Sequence, residues 1–415
     1  MTDQSVDSCM LPGLASVSET LERILMSVEP LNRACTVSVN SAVGYVLAED
    51  LLCPYDFPPW PASAMDGYAL PAGDHSQGTE FTVVATVLAG HPVSVTVNSG
   101  ECARIMTGAP LPLGTTTVEM QENCIVADNA ITLKQDIQET KNVRAVGSSL
   151  KKDDVVLNKG TRLGAKHLAL IASSGIAEVR VYDKLKIGIF TTGDELVEPG
   201  KALQPGQIYD SNRLVIKTMC ETMGFDIKDY GLIVDKPEHI RAVMLEAAQE
   251  TDVLMTSGGV SVGDADHIKP VLEEVGELSQ WKVAMKPGKP IAIGKISNCY
   301  FFGLPGNPVS TIVTLNQVVK PALQKLAGQL PVKALRFRAI CEDKLYKRPG
   351  RQDFQRGIAY VDDLGNWRVA TTGSQGSANL NSVTKANCYI ILDASNGGIQ
   401  PGDSVTIELF DESLQ

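Results

Sequence analysis

The stretch DVLMTSGGVSVGDADH, residues 252–267, decides the fold class of this chain. Its first half carries Val253-Leu254-Met255-Thr256, a short apolar run that predicts a buried strand over Asp252–Thr256. The run ends on Ser257-Gly258-Gly259, where two adjacent glycines let backbone N–H groups turn toward an anion with no side chain in the way. Asp264 and Asp266 then fall at the start of a helix predicted over His267–Val275. Carboxylates there either cap the helix or hold a divalent cation that bridges to phosphate oxygens. A plain glycine turn with an N-cap aspartate is the competing structural explanation.

The same alternation continues on both sides. Strands are predicted at Leu185–Thr191, Asp226–Val234, Trp281–Met285, Pro290–Gly294 and Tyr300–Leu304, and helices at Ser211–Met223, Pro237–Glu250 and Val309–Leu326. Strand–helix alternation over residues 184–330 predicts a central three-layer α/β domain with a mostly parallel sheet. Ligands of such sheets bind at the carboxyl ends of the strands. Two further segments end strands there: Thr191-Thr192-Gly193-Asp194-Glu195, with Glu195 a candidate metal ligand, and Gly303-Leu304-Pro305-Gly306-Asn307-Pro308. Asn307 and Pro308 read as N-cap and first residue of the long helix, an explanation that competes with anion binding at its N-terminus. Lys282, Lys286 and Lys289 cannot share a helix because Pro287 and Pro290 interrupt it, so an extended turn presenting ammonium groups to an oxyanion is expected. A solvated charge run is the alternative.

The flanks differ in texture. Residues 16–29 read as an amphipathic helix capped by Ser16 or Ser18, with Leu21, Ile24, Leu25 and Val28 on one face. Residues 53–141 carry short β-rich runs, among them Phe81–Leu88, Val93–Val97, Thr116–Gln121 and Ala130–Lys134, broken by glycine and proline. Residues 1–52 and 142–183 read as an extended N-terminal linking region around this β-rich insertion, with a helix near Ala165–Ser173. After Pro331 the helices stop, and residues 331–415 read as a C-terminal β-barrel or sandwich. Within the β-rich part, Ser63–Ala69 and Arg104–Pro110 read by themselves as ordinary polar turns.

Composition narrows the function. The net charge of -11 disfavours nucleic acid as a partner. Nine cysteines and five histidines are dispersed, with no C-x-x-C pair and no H-x-x-x-H, which disfavours a zinc site and suits reduced thiols in a cytoplasm. The N-terminus lacks the pattern of a signal peptide, and no apolar run reaches the roughly 18 residues of a membrane span.

SAMDGYAL at 63–70, RIMTGAP at 104–110, TTGDEL at 191–196, SGGVSVGDAD at 257–266, KPGKP at 286–290, GLPGNP at 303–308 and PGRQDFQRG at 349–357 together resemble the molybdopterin molybdotransferases, the family of bacterial MoeA and the E domain of gephyrin. The resemblance spans essentially the whole chain. It implies that adenylylated molybdopterin and molybdate are substrates, that the phosphoanhydride is hydrolysed with release of AMP, and that molybdenum enters the dithiolene. It also implies a divalent cation such as Mg2+, an elongated homodimer with a composite active site, and the molybdopterin adenylyltransferase as upstream partner. By position, Asp66 and Thr107 are the β-rich module's contribution, and Glu195, Asp235 and Asp266 are the acidic, metal-binding set. Lys282 and Lys286 match basic residues near phosphate or molybdate, while Ser257, Gly258, Gly259, Pro305, Gly306, Arg356 and Ser377 match substrate-binding positions. Two departures stand out: Ser149 occupies a place where the family commonly has a carboxylate, and Pro61-Ala62 replaces an Asp-Asn pair. An adenylyltransferase or pyrophosphatase on the same core, a scaffold, and a paralogue handling tungstate are the alternatives.

Overall fold

Five strands running one way and one running against them make the sheet at the centre of the molecule, a computed structural model that describes residues 14–73, 75–91, 94–258, 267–411 and 414. Across the sheet the order is Asp226–Ile233, Lys186–Thr192, Val253–Ser257, Cys299–Leu304, Pro290–Ile296 and Glu277–Lys282, the first four parallel. Val253–Ser257 is buried at every position because helices cover both faces, which is why its sequence is a continuous apolar run rather than an alternating one. Asn212–Thr222 packs on one face and Pro237–Glu250 and Ile268–Val275 on the other.

The expected strand Trp281–Met285 is replaced by an edge strand that starts at Glu277. Gly276 ends the preceding helix, and a Cβ there would meet the Lys295 carbonyl oxygen at 2.3 Å, so only glycine turns helix directly into strand at this point. The edge strand is largely polar, which hid it from a search for apolar runs. The predicted long helix is present but not uniform: Pro308–Thr314 and Lys320–Leu326 flank a π turn at Leu315–Val319. Pro321 supplies the reason, since its ring excludes the regular hydrogen bond one turn back and the wider turn absorbs the mismatch.

The first helix, Val17–Ser27, opens on a capping box in which the Ser16 hydroxyl accepts the Glu19 N–H and the Glu19 carboxylate accepts the Ser16 N–H. Its Ile24, with Val28 just beyond, packs into the α/β core beside Leu323 and Leu326. Beyond it, Ala34–Ser38 pairs with Glu178–Tyr182, and Leu51–Leu52 pairs with Val155–Leu157. These ribbons carry the chain out to the β-rich module and back. That module is a six-stranded sheet in the order Thr115–Met120, Gly67–Pro71, Glu101–Ile105, Glu80–Val87, Ala130–Leu133 and Cys124–Ala127. The strand expected at Val93–Val97 does not form a ladder among the described residues; Thr96 makes one isolated bridge to Leu113.

At the C-terminus, Gln352–Val361 pairs with both Trp367–Thr371 and Cys388–Leu392, and Arg336–Cys341 and Ser404–Leu409 complete a closed five-stranded barrel. Closure removes the open edges a sandwich would leave. Among the described residues no helix is long and apolar enough to cross a membrane.

Candidate active site

Three strand-end loops of the central sheet meet at its carboxyl edge. A Cβ placed on Gly258 would lie 3.3 Å from the Thr192 carbonyl oxygen, and one on Gly306 would lie 3.7 Å from the Gly258 Cα. Gly258 has φ +88°, a conformation open mainly to glycine, and its N–H donates to the Leu304 carbonyl at 3.1 Å. The buried Ser257 hydroxyl donates to the Pro305 carbonyl at 3.0 Å, and Thr311 Oγ1 donates to the same carbonyl at 2.5 Å. Asn307 sits at the N-cap of the following helix and Pro308 within its first turn, but the Asn307 side chain makes no capping bond. Backbone therefore lines the floor where the Ser-Gly and Leu-Pro-Gly segments touch.

The acidic candidates occupy the neighbouring strand ends. Glu195 is exposed at the tip of the first loop, and its carboxylate lies where a Cβ on Gly193 would fall, 2.7 Å from Oε2. Asp235 follows the outer strand Asp226–Ile233 and accepts a hydrogen bond from Thr192 Oγ1 at 3.0 Å. A fixed aspartate and a free glutamate thus belong to adjacent strands. Gly259 and Asp266 lie outside the described residues.

The basic candidates separate. Lys282 is exposed at the end of the edge strand, where its carbonyl accepts the Ala15 N–H at 3.1 Å. Lys286 does not extend a strand of the central sheet; Met285–Lys286 adds to the barrel strand at Gln352–Asp353. Its ammonium stands 3.6 Å from Asp353, a carboxylate only 2% exposed. Nearby, the Lys347 ammonium donates to the carbonyls of Arg348, Ala394 and Asn396, and burial lowers its pKa against the opposing pull of Asp353. Arg356 is buried inside the barrel, donating to Ser382 Oγ at 3.0 Å and to the carbonyls of Phe354 and Gly376 at 3.3 Å. Desolvation pushes its pKa down to about 10. The Ser377 carbonyl accepts the Val309 N–H at 3.1 Å, which joins the barrel to the start of the long helix.

Asp66 and Thr107 come together at the end of the β-rich sheet, which shares no strand with the central one. The Thr107 N–H and hydroxyl both donate to Asp66 Oδ1, at 2.7 and 2.8 Å. Those two bonds hold the Asp66 carboxyl below its usual pKa, so it stays ionised. Ser149 offers no carboxylate in its turn; Asp56 lies alongside, accepting the Lys152 N–H at 2.9 Å beneath Gly147.

Sequence reasoning missed the segment Tyr209–Arg213. The buried Asp210 accepts from Thr191 Oγ1 at 2.5 Å and from the Arg213 backbone and guanidinium, while Arg213 also pairs with Asp229. Asn212 Nδ2 donates to Ser257 Oγ at 2.8 Å and to the Gly306 carbonyl at 2.7 Å. The available signal was the polar run Tyr-Asp-Ser-Asn-Arg directly before a helix, behind the Pro205-Gly206 turn.

Three family models match in succession: the MoeA N-terminal region (domain I and II) over residues 15–175, a probable molybdopterin binding domain over 188–325, and the MoeA C-terminal region (domain IV) over 338–410. A molybdopterin molybdenumtransferase of Haemophilus influenzae is 43% identical over 380 residues, 91% of this chain and 94% of that protein. One from Staphylococcus aureus is 31% identical over 400 residues, 95% of each. The crystal structure of the molybdopterin biosynthesis MoeA protein of Pyrococcus horikoshii superposes with a TM-score of 0.82 at 29% identity, covering 96% of this chain and 100% of that one. With matches that run through all its parts in order, the chain belongs to the molybdopterin molybdenumtransferase family.

Proposed function

We propose that this chain inserts molybdenum into molybdopterin, taking the adenylylated pterin and molybdate as substrates. The observation that carries the proposal is the convergence of Thr192, Gly258 and Gly306, which leaves main chain, not side chains, facing the carboxyl edge of the sheet. Such a floor suits a pyrophosphate, because backbone N–H groups can approach its oxygens closely. Phosphoanhydride hydrolysis needs charge neutralisation and a held leaving group more than a covalent nucleophile. Lys286, braced by Asp353, presents a cation to the oxyanion, and Lys282 supplies a second. Water adds to phosphorus as the anhydride P–O bond breaks and AMP leaves; the two dithiolene thiols then bond to the molybdenum of molybdate, their protons leaving with a displaced oxygen as water.

Among the described residues no group of three or more His, Cys, Asp or Glu could hold a metal ion. Magnesium, however, commonly takes one or two carboxylates and completes its shell with phosphate oxygens and water. Glu195 and Asp235 are hard oxygen donors on adjacent strand ends and would hold such an ion, with Asp266 the third acid of the set. When bound, magnesium would shield the charge of the phosphoanhydride. Asp66 and Thr107 are assigned to the site of a partner subunit, making it composite in a homodimer. In this reading 53–141, 184–330 and 331–415 are separate domains joined by 1–52 with 142–183, and Arg356 and Ser377 act from the barrel side. The enzyme works in the cytoplasm beside a molybdopterin adenylyltransferase, whose product it consumes.

The test supplies purified protein with adenylylated molybdopterin, magnesium and molybdate, and follows AMP and reconstitution of a cofactor-free molybdoenzyme. AMP release that does not depend on the oxyanion would sink the proposal. Asp66→Ala and Glu195→Ala, each inactive alone, should regain activity when mixed as heterodimers.

A further inference from the structure

We infer that Asn212 is a positioning residue that sets the spacing of the phosphate-facing loops, by bonding two of them while its own segment is laced to the third. The inference rests on the proposed function above. The lacing is backbone pairing: Ile208–Tyr209 runs parallel to Leu196–Val197, the Ile208 N–H donates to the Glu195 carbonyl at 2.8 Å, and the Asp210 N–H donates to the Val197 carbonyl at 2.9 Å. Asp210 adds a side-chain bond to Thr191 in the same loop. From this anchored segment Asn212 spends both amide hydrogens on the other two loops, one on Ser257 Oγ and one on the Gly306 carbonyl.

No other described side chain makes that double connection. Ser257 and Thr311 share the Pro305 carbonyl, so they join the second and third loops only to one another. Asn212 Oδ1 is buried and has no hydrogen-bond partner among the described residues. An unsatisfied buried acceptor is costly, and a residue chosen for stability alone would gain by losing it. Retaining an amide there is explained by its two donors. A donor pair aimed at two oxygens on different loops fixes their separation, and a misplacement of about 1 Å at a reacting centre can cost 10²-fold in rate.

The test uses the full chain in the oxyanion-dependent AMP-release assay, with wild-type activity measured in parallel. Asn212→Asp is nearly isosteric and keeps acceptors but has no amide donors; Asn212→Ala removes the group. Both are expected to lower kcat at least tenfold while KM for the adenylylated pterin changes less than threefold. Ser257→Ala combined with Asn212→Ala should be no slower than Asn212→Ala alone, because the serine acts through the same tie. A merely structural role would lower the melting temperature and leave kcat intact below it. If Asn212→Asp turns over within twofold of wild type, the inference is wrong. If wild type itself releases no AMP on addition of molybdate, the proposed function fails instead, and the two failures are separate.

Discussion

Alanine at Gly258 and alanine at Gly306 should behave as opposites, although the two positions almost touch. At Gly258 the φ of +88° places an L-residue in the left-handed region, which costs about 1–2 kcal/mol. The new methyl would also lie 3.3 Å from the Thr192 carbonyl oxygen, a backbone atom in a buried strand end with little room to give. For a unit of about 150 residues, each kcal/mol moves the midpoint by roughly 2–4 °C, so Gly258→Ala should melt about 2–8 °C below wild type. At Gly306 the φ is ordinary, and among the described residues the methyl meets only the Gly258 Cα at 3.7 Å, a normal contact. Gly306→Ala should therefore melt within about 2 °C of wild type. Its methyl nevertheless stands over the junction of the two loops, and AMP release should fall at least tenfold if phosphate oxygens sit there. Circular dichroism melts and the oxyanion-dependent assay read the two effects separately. A Gly258→Ala protein that melts with wild type would refute the conformational reasoning. A Gly306→Ala protein with full activity would show that the substrate phosphates lie elsewhere.

Thr107→Val should raise the Asp66 pKa toward the ordinary 3.8 by removing one of its two donors, and carbon-detected NMR titration of the carboxyl reads it. Because the folded-state pKa is depressed, its contribution to stability is present above 3.8 and lost as pH falls through the folded value; Thr107→Val should narrow that acid window. Asp353→Asn removes the buried carboxylate facing Lys286 and Lys347, and should destabilise the protein by about 1–3 kcal/mol, a figure discounted because Lys286 is half-exposed. It should also weaken molybdate binding in calorimetry, whereas unchanged binding would separate Lys286 from the anion. Among the described cysteines only Cys35 is exposed, so iodoacetamide should alkylate it before Cys102 and Cys388, whose thiols burial pushes up to about 12. Peptide mapping that finds Cys102 modified first would contradict the packing of the β-rich sheet.

How far the sequence could be read follows from the distance over which each feature is determined. Val253–Ser257 was legible because three apolar residues lead through Thr-Ser into two glycines, and burial on both faces leaves no other arrangement for them. The helices Pro237–Glu250 and Ala165–Ser173 were also legible, because a helix is specified by its own consecutive residues. The edge strand from Glu277 was not, since its sequence is largely polar and its pairing with Pro290–Ile296 is what makes it a strand. Asn212 shows the limit most clearly. Before a helix, Asp-Ser-Asn reads as a capping run, and its neighbours in the chain offer nothing else. Its bonding partners lie 45 and 94 residues away, on loops brought to it only by the order of strands in the sheet. Arg356 poses the converse problem: it matches a substrate-binding position of the family, yet barrel closure buries it against Ser382 and the Gly376 carbonyl, 26 and 20 residues on. A cation so held ties the loop to the barrel rather than facing solvent. Arg356→Lys, which keeps the charge but cannot span both acceptors, should accordingly disturb the 372–380 loop, and with it the Ser377–Val309 bond that ties that loop to the long helix.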